Sequence, residues 1–188
     1  MSEAVHPALL LMDVQNGTVR RFAGSADVIE PFSRAVQAAR RESIPVIFVR
    51  VAFRAGYPEV SPRNKSFSAI SGRGDMTTTD ASTQVHDAVA PLPGEVVVTK
   101  LRVSAFAGSD LEVILRAKGI DTLILSGIAT SGVVLSTLRE AADKDYRLVV
   151  LSDACIDADP EVHRVLMEKV FPRQADVMTV DQWGASIR

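Results

Sequence analysis

The sequence predicts an α/β protein: a three-layer α/β/α sandwich around a parallel, Rossmann-like sheet. Three observations predict it. Short apolar runs alternate with amphipathic segments along the 188 residues. The runs are rich in Val, Ile and Leu, as in strands covered on both faces. The amphipathic segments place apolar residues at helical spacing, so each can join two parallel strands by a right-handed crossover.

The elements follow in order. Residues 8–14 form the first apolar run and residues 45–51 the second. Between them, Val28, Ile29, Phe32, Val36 and Ala39 recur as one helical stripe. The third run is 96–99. Ser109-Asp110-Leu111-Glu112 then reads as a capping box, and Gly119 as the stop of that helix. The fourth run, 121–126, leads to a helix starting near Thr130 or Ser131, with a stripe of Leu135, Leu138, Ala141 and Ala142. After the fifth run, 148–152, Asp159-Pro160-Glu161 opens a helix through Val170, because proline suits the first turn. The sixth run is 176–180. Residues 52–94 break the rhythm with repeated Gly and Pro. They read either as a lid or partner-contact segment, or as a surface excursion with a short helix near 84–89. There is no internal repeat, and a single domain is expected over residues 1–188.

Composition narrows the function classes. Hydrophobic residues make up 47% of the chain, which argues against disorder. Twenty-one basic and 23 acidic residues give a net charge of −2. That offers no electrostatic footprint for nucleic acid or an anionic membrane, so neither is expected as a partner. The start, Met1 to Pro7, lacks the basic opening of a signal peptide, and the apolar run after it is too short to span a bilayer. The single cysteine, Cys155, cannot form an internal disulfide, and a cytoplasmic location is expected. His6, His86 and His163 show no metal-ligand spacing, and no metal or other cofactor is expected.

Three places could carry chemistry. Asp13 ends the first apolar run, where ligands of open parallel sheets bind. A carboxylate there is partly desolvated, which raises its proton affinity unless a cation compensates. Alone, it reads rather as a turn or cap aspartate before Asn16-Gly17. Lys100 ends the third run and could neutralise Asp13 or hold an anionic group; alone, it reads as a surface lysine. Gly127-Ile128-Ala129-Thr130-Ser131-Gly132 ends the fourth run at a helix start, whose free N–H groups suit a carbonyl or oxyanion. The alternative there is an ordinary capped turn. No histidine is close in sequence to serve Thr130 or Ser131 as a base. Phe106 is either an aromatic wall or a core anchor. Cys155 follows an apolar run with acidic neighbours, which raises a thiol pKa, and it reads as a packing residue.

Together these places resemble the motifs of the isochorismatase-like hydrolases, the cysteine hydrolase superfamily. Leu11-Met12-Asp13-Val14-Gln15-Asn16 resembles the first motif. Lys100 to Phe106, with Asp110-Leu111, resembles the second. Gly127 to Val134, with Thr137 to Ala141, resembles the third. The resemblance spans about residues 8–182. It implies a six-stranded parallel sheet of order 3-2-1-4-5-6 and a cis peptide between Ile128 and Ala129. It also implies a small-molecule substrate and a homodimer or higher homo-oligomer. In amidase members the positions of Asp13, Lys100 and Val133 form an Asp-Lys-Cys triad. Here valine stands at the nucleophile position. The Asp-x-His pair of metal-binding relatives is also replaced, by Arg50-Val51-Ala52-Phe53-Arg54.

The expected function is therefore hydrolysis of a small carboxylated molecule without a cysteine nucleophile. The resemblance offers vinyl-ether hydrolysis as a precedent, with Asp13 as general acid/base and Lys100 as electrostatic partner. Gln15, Phe22, Arg54, Arg102, Phe106, Ile128 and Ala129 are the candidate substrate-binding residues, with Arg54 or Arg102 pairing with the carboxylate. The alternative is an inactive relative that binds a small ligand or serves an assembly.

Overall fold

The computed structural model of the chain describes residues 5–22 and 26–187. Met1 to Ala4, on which the signal-peptide reading partly rests, lie outside the described residues. Six strands form one parallel sheet: β1 (Pro7–Met12), β2 (Val46–Val51), β3 (Val96–Lys100), β4 (Thr122–Ile128), β5 (Arg147–Ile156) and β6 (Asp176–Met178). Their order is β3-β2-β1-β4-β5-β6, as the resemblance implies. The helices are α1 (Asn16–Phe22), α2 (Glu30–Arg41), α3 (Ile70–Arg73), α4 (Leu111–Ala117), α5 (Leu135–Asp143), α6 (Pro160–Val165) and α7 (Val180–Ser186). Among the described residues, no helix is long and apolar enough to cross a membrane.

The two-residue period of β1 sorts its side chains between two cores. Leu9 and Leu11 join Phe32, Ala35, Val36 and Ala39 of α2 and Trp183 of α7. Ala8, Leu10 and Met12 join Leu111 and Leu115 of α4 and Leu138 and Ala141 of α5. Both faces are covered, so the strand carries no polar side chain until it ends. β1 and β4 are neighbours at the point where strand order reverses, which is where open α/β sheets bind ligands.

Gly127 makes that junction possible. A Cβ there would collide with the Met12 carbonyl oxygen and lie 2.9 Å from Met12 Cβ. β4 can therefore lie close against the end of β1 only with glycine at this position.

Several local expectations are corrected. The first strand stops at Met12, because Asp13 takes a left-handed φ of 57°. α1 starts where Asn16-Gly17 reads as a turn. The Ser109–Glu112 capping box does not form: Ser109 Oγ accepts from Leu111 N, while Glu112 pairs with Arg116 and Lys144. Gly119, at φ 63°, does follow the end of α4. The turn after β4 is a π-helical turn, Thr130–Val134, without a side-chain cap, so neither Thr130 nor Ser131 caps it. The α6 helix does start on Asp159, whose carboxylate accepts from Glu161 N and Val162 N. It widens into a π-helical turn at Leu166–Val170. β5 runs on to Ile156, so Cys155 lies inside a strand rather than beyond one. β6 ends early because Thr179 caps α7 in a full capping box with Gln182. The helix expected near 84–89 is one 3₁₀ turn, Asp87–Val89.

Candidate active site

Asp13, Gln15, Phe22 and Ile128 line a cavity of about 370 Å³ at the carboxyl ends of β1 and β4. That volume suits a small metabolite-sized ligand. The 52–94 excursion forms the opposite wall through Asp75, Met76 and Thr83. A backbone bridge from Val85 to Gln15 holds it there, and a second, Phe53 to Thr77, lies within it. It also has its own apolar cluster around Phe53 and Ile70. Part of this segment therefore builds the cavity wall.

Asp13 and Lys100 meet. Lys100 Nζ lies 2.9 Å from Asp13 Oδ2, and both side chains are buried. Lys100 ends β3, two strands from β1, so its long stem spans the interval. Its ammonium also donates to the carbonyls of Arg102, at 3.0 Å, and Val103, at 2.9 Å. An ammonium carries three protons, and here three acceptors surround it. Lys100 therefore has no donor left for a substrate and is not a surface lysine. Burial pushes the Asp13 carboxyl above its usual range, while the charge and hydrogen bond of Lys100 pull the other way. Asp13 Oδ1 is buried with no hydrogen-bond partner among the described residues.

Gln15 is placed by its amide. Nε2 donates to the carbonyls of Val51 and Thr83, and Oε1 accepts from Val51 N. Both amide protons are used, so Gln15 ties β1, β2 and the excursion together beside the cavity. Ile128 and Ala129 are joined by a cis peptide. Ile128 lines the cavity, and Ala129 packs on the adjoining core.

Four candidates fall elsewhere. Arg54 pairs with Glu59 and is exposed. Arg102 donates to the carbonyls of Leu101 and Glu59 and sits 6.0 Å from the Phe67 ring centre. Neither arginine lines the cavity, because Glu59 of the excursion engages both. Phe106 is a core anchor: it is buried and stacks on Tyr146 at 6.2 Å. Val133 is buried in the same apolar cluster as Met12, Val98 and Phe106, and it does not line the cavity.

The structure adds residues that sequence reasoning missed. Arg20 and Arg21 of α1 line the cavity. The signal was available: both fall within one short helix of Asp13. Beside the turn after β4, Thr130 Oγ1 is 2.9 Å from His163 Nδ1. Their separation of 33 residues hid the pair. Asp157 accepts from Ser131 N at 2.7 Å, which holds the start of that turn. Burial holds the His163 imidazole below its usual pKa, with Asp157 acting in the opposite direction. Burial also pushes the Cys155 thiol up to about 12, so it is inert near neutrality.

Comparison with known proteins agrees with this fold. Residues 7–182 match the isochorismatase domain family. The chain is 32% identical over 181 residues to an uncharacterized isochorismatase family protein, YwoC, of Bacillus subtilis, covering 96% of this chain and 94% of that one. It is 34% identical over 193 residues to the ureidoacrylate amidohydrolase RutB of Methylobacterium radiotolerans, covering 89% of this chain and 75% of that one. Among solved structures, N-carbamoylsarcosine amidase from Thermoplasma acidophilum superposes with a TM-score of 0.76. The two are 29% identical, covering 94% of this chain and 98% of that one. By fold and sequence, the chain belongs to the isochorismatase family of hydrolases.

Proposed function

We propose that this hydrolase acts on a small carboxylated substrate without a covalent enzyme intermediate, using Asp13 as general acid. The observation that carries the reading is the Asp13 carboxyl. It is buried, its proton affinity is raised, and its unpartnered Oδ1 belongs to a side chain lining the cavity. A carboxylic acid kept protonated can deliver a proton where water cannot.

Vinyl-ether hydrolysis uses such an acid. Asp13 gives its proton to the terminal methylene carbon of the enol ether, and the ether oxygen stabilises the resulting cation. Water then adds to the cationic carbon and returns a proton to Asp13. The hemiketal collapses to an alcohol and a ketone. Lys100 stabilises the Asp13 carboxylate formed in the first step and never touches the substrate. Valine at position 133 supplies no nucleophile, and Cys155 is buried within β5 with its thiol protonated. The same reading carries a cytoplasmic location and a homodimer or higher homo-oligomer as expectations.

The saturated ammonium of Lys100 favours one rival, a structural ion pair in an inactive relative that binds a small ligand or serves an assembly. Turnover of isochorismate by wild type and Asp13→Asn separates the two. The acid mechanism predicts activity in wild type and its loss in Asp13→Asn. No turnover of enol ethers, amides or esters by wild type sinks it.

A further inference from the structure

We infer that Arg20 and Arg21 are the anion-recognition element of the cavity and select carboxylated over neutral ligands. The inference rests on the reading that this cavity is the substrate site, and it names which residues hold the charged end. The cations near the site differ in how far they are already engaged. Lys100 has all three protons engaged by Asp13 and two carbonyls. Arg54 is paired with Glu59. Arg102 is engaged by two carbonyls and faces Phe67. Arg20 and Arg21 line the cavity, and among the described residues neither has an ion-pair partner.

The acidic group on the facing wall, Asp75, is occupied by Arg73 at 3.2 Å. An anion entering the cavity thus meets two uncommitted guanidinium groups. A guanidinium offers a planar fork that matches a carboxylate with two parallel hydrogen bonds. α1 sets the spacing between charge and chemistry: it begins three residues after Asp13 and ends at Phe22. A substrate held by α1 at its carboxylate would present its other end toward Asp13. The ligand class is therefore a small carboxylate of a size that fits the cavity.

Calorimetric titration with benzoate and its neutral isostere benzamide tests this without any need for turnover. The probe pair is compared on wild type, Arg20→Gln/Arg21→Gln and Arg54→Gln. Wild type and Arg54→Gln are expected to prefer benzoate by at least about tenfold, the scale of a charge-assisted hydrogen bond. The α1 double variant is expected to lose that preference while circular dichroism stays unchanged. Benzoate binding no better than benzamide to wild type, or not at all, overturns the inference. So does a preference that survives in the α1 variant. Benzoate preference in a wild type that turns over no enol ether, amide or ester would sink the catalytic reading alone, so the two failures show separately.

Discussion

Lys100 Nζ sits 2.9 Å from Asp13 Oδ2 and leaves Asp13 Oδ1 without a hydrogen-bond partner among the described residues. The pair is thus asymmetric. One carboxylate oxygen is committed to a buried cation, and the other is available to a ligand. The cation itself is closed off by the carbonyls of Arg102 and Val103. In the proposed mechanism Lys100 tunes and Asp13 acts.

Removing one partner of such a buried pair is costly because the other is left uncompensated. Lys100→Met is expected to lose about 3–5 kcal/mol of stability near neutral pH. Without the cation, the folded-state pKa of Asp13 rises further above its unfolded value. The loss is therefore smallest at acid pH, where Asp13 is protonated, and grows as pH rises through the folded pKa. Asp13→Asn/Lys100→Met should cost less than the sum of the single variants. Urea unfolding at two pH values checks both statements, and strict additivity contradicts them.

His163 gives a second pH signature of opposite sense. Its folded pKa is held below the ordinary 6.5 by burial beside Thr130. The unfolded chain takes up a proton before the folded one does. This contribution to stability is present above about pH 6.5 and is lost as pH falls toward the folded pKa. His163→Gln should flatten the acid side of the stability profile. An unchanged slope would show that His163 is not held neutral.

Gly127→Ala tests the junction of β1 and β4. The added methyl meets Met12 backbone atoms, which cannot swing aside. A loss of at least about 1–3 kcal/mol is expected, as for an overpacked core. A thermal midpoint equal to wild type would show that the strands are not in such close contact.

Val133→Cys probes the nucleophile position that the family resemblance assigns. Position 133 lies in the turn leading into α5, whereas Cys155 lies within β5 with its thiol pKa at about 12. If Asp13 and Lys100 activate that position, the introduced thiol should react with iodoacetamide faster than Cys155. Equal rates, followed by peptide mass mapping, would argue against a thiol-activating environment at 133.

The fold was legible because its strands are buried on both faces. Val96 to Val98 and Leu123 to Leu125 leave little room for another reading once helical stripes separate them. The meeting of Asp13 and Lys100 followed from strand ends. The helices α1 and α7 were harder, since each has seven residues and few buried positions. The arginines show the limit most clearly. Arg54 and Arg102 are as well placed in sequence as Arg20 and Arg21. Only the path of the 52–94 segment, which carries Glu59 to both of them, removes them from the site.

The pH dependence of kcat/KM for enol-ether hydrolysis tests the central claim most directly. An acid that must be protonated gives a rate that is level at low pH. The rate then falls about tenfold per unit as pH rises through the Asp13 pKa, which lies above the ordinary 3.8. That is the profile predicted for wild type. A rate that rises with pH through this range would mean that ionised Asp13 is the working form, and it would contradict general acid catalysis.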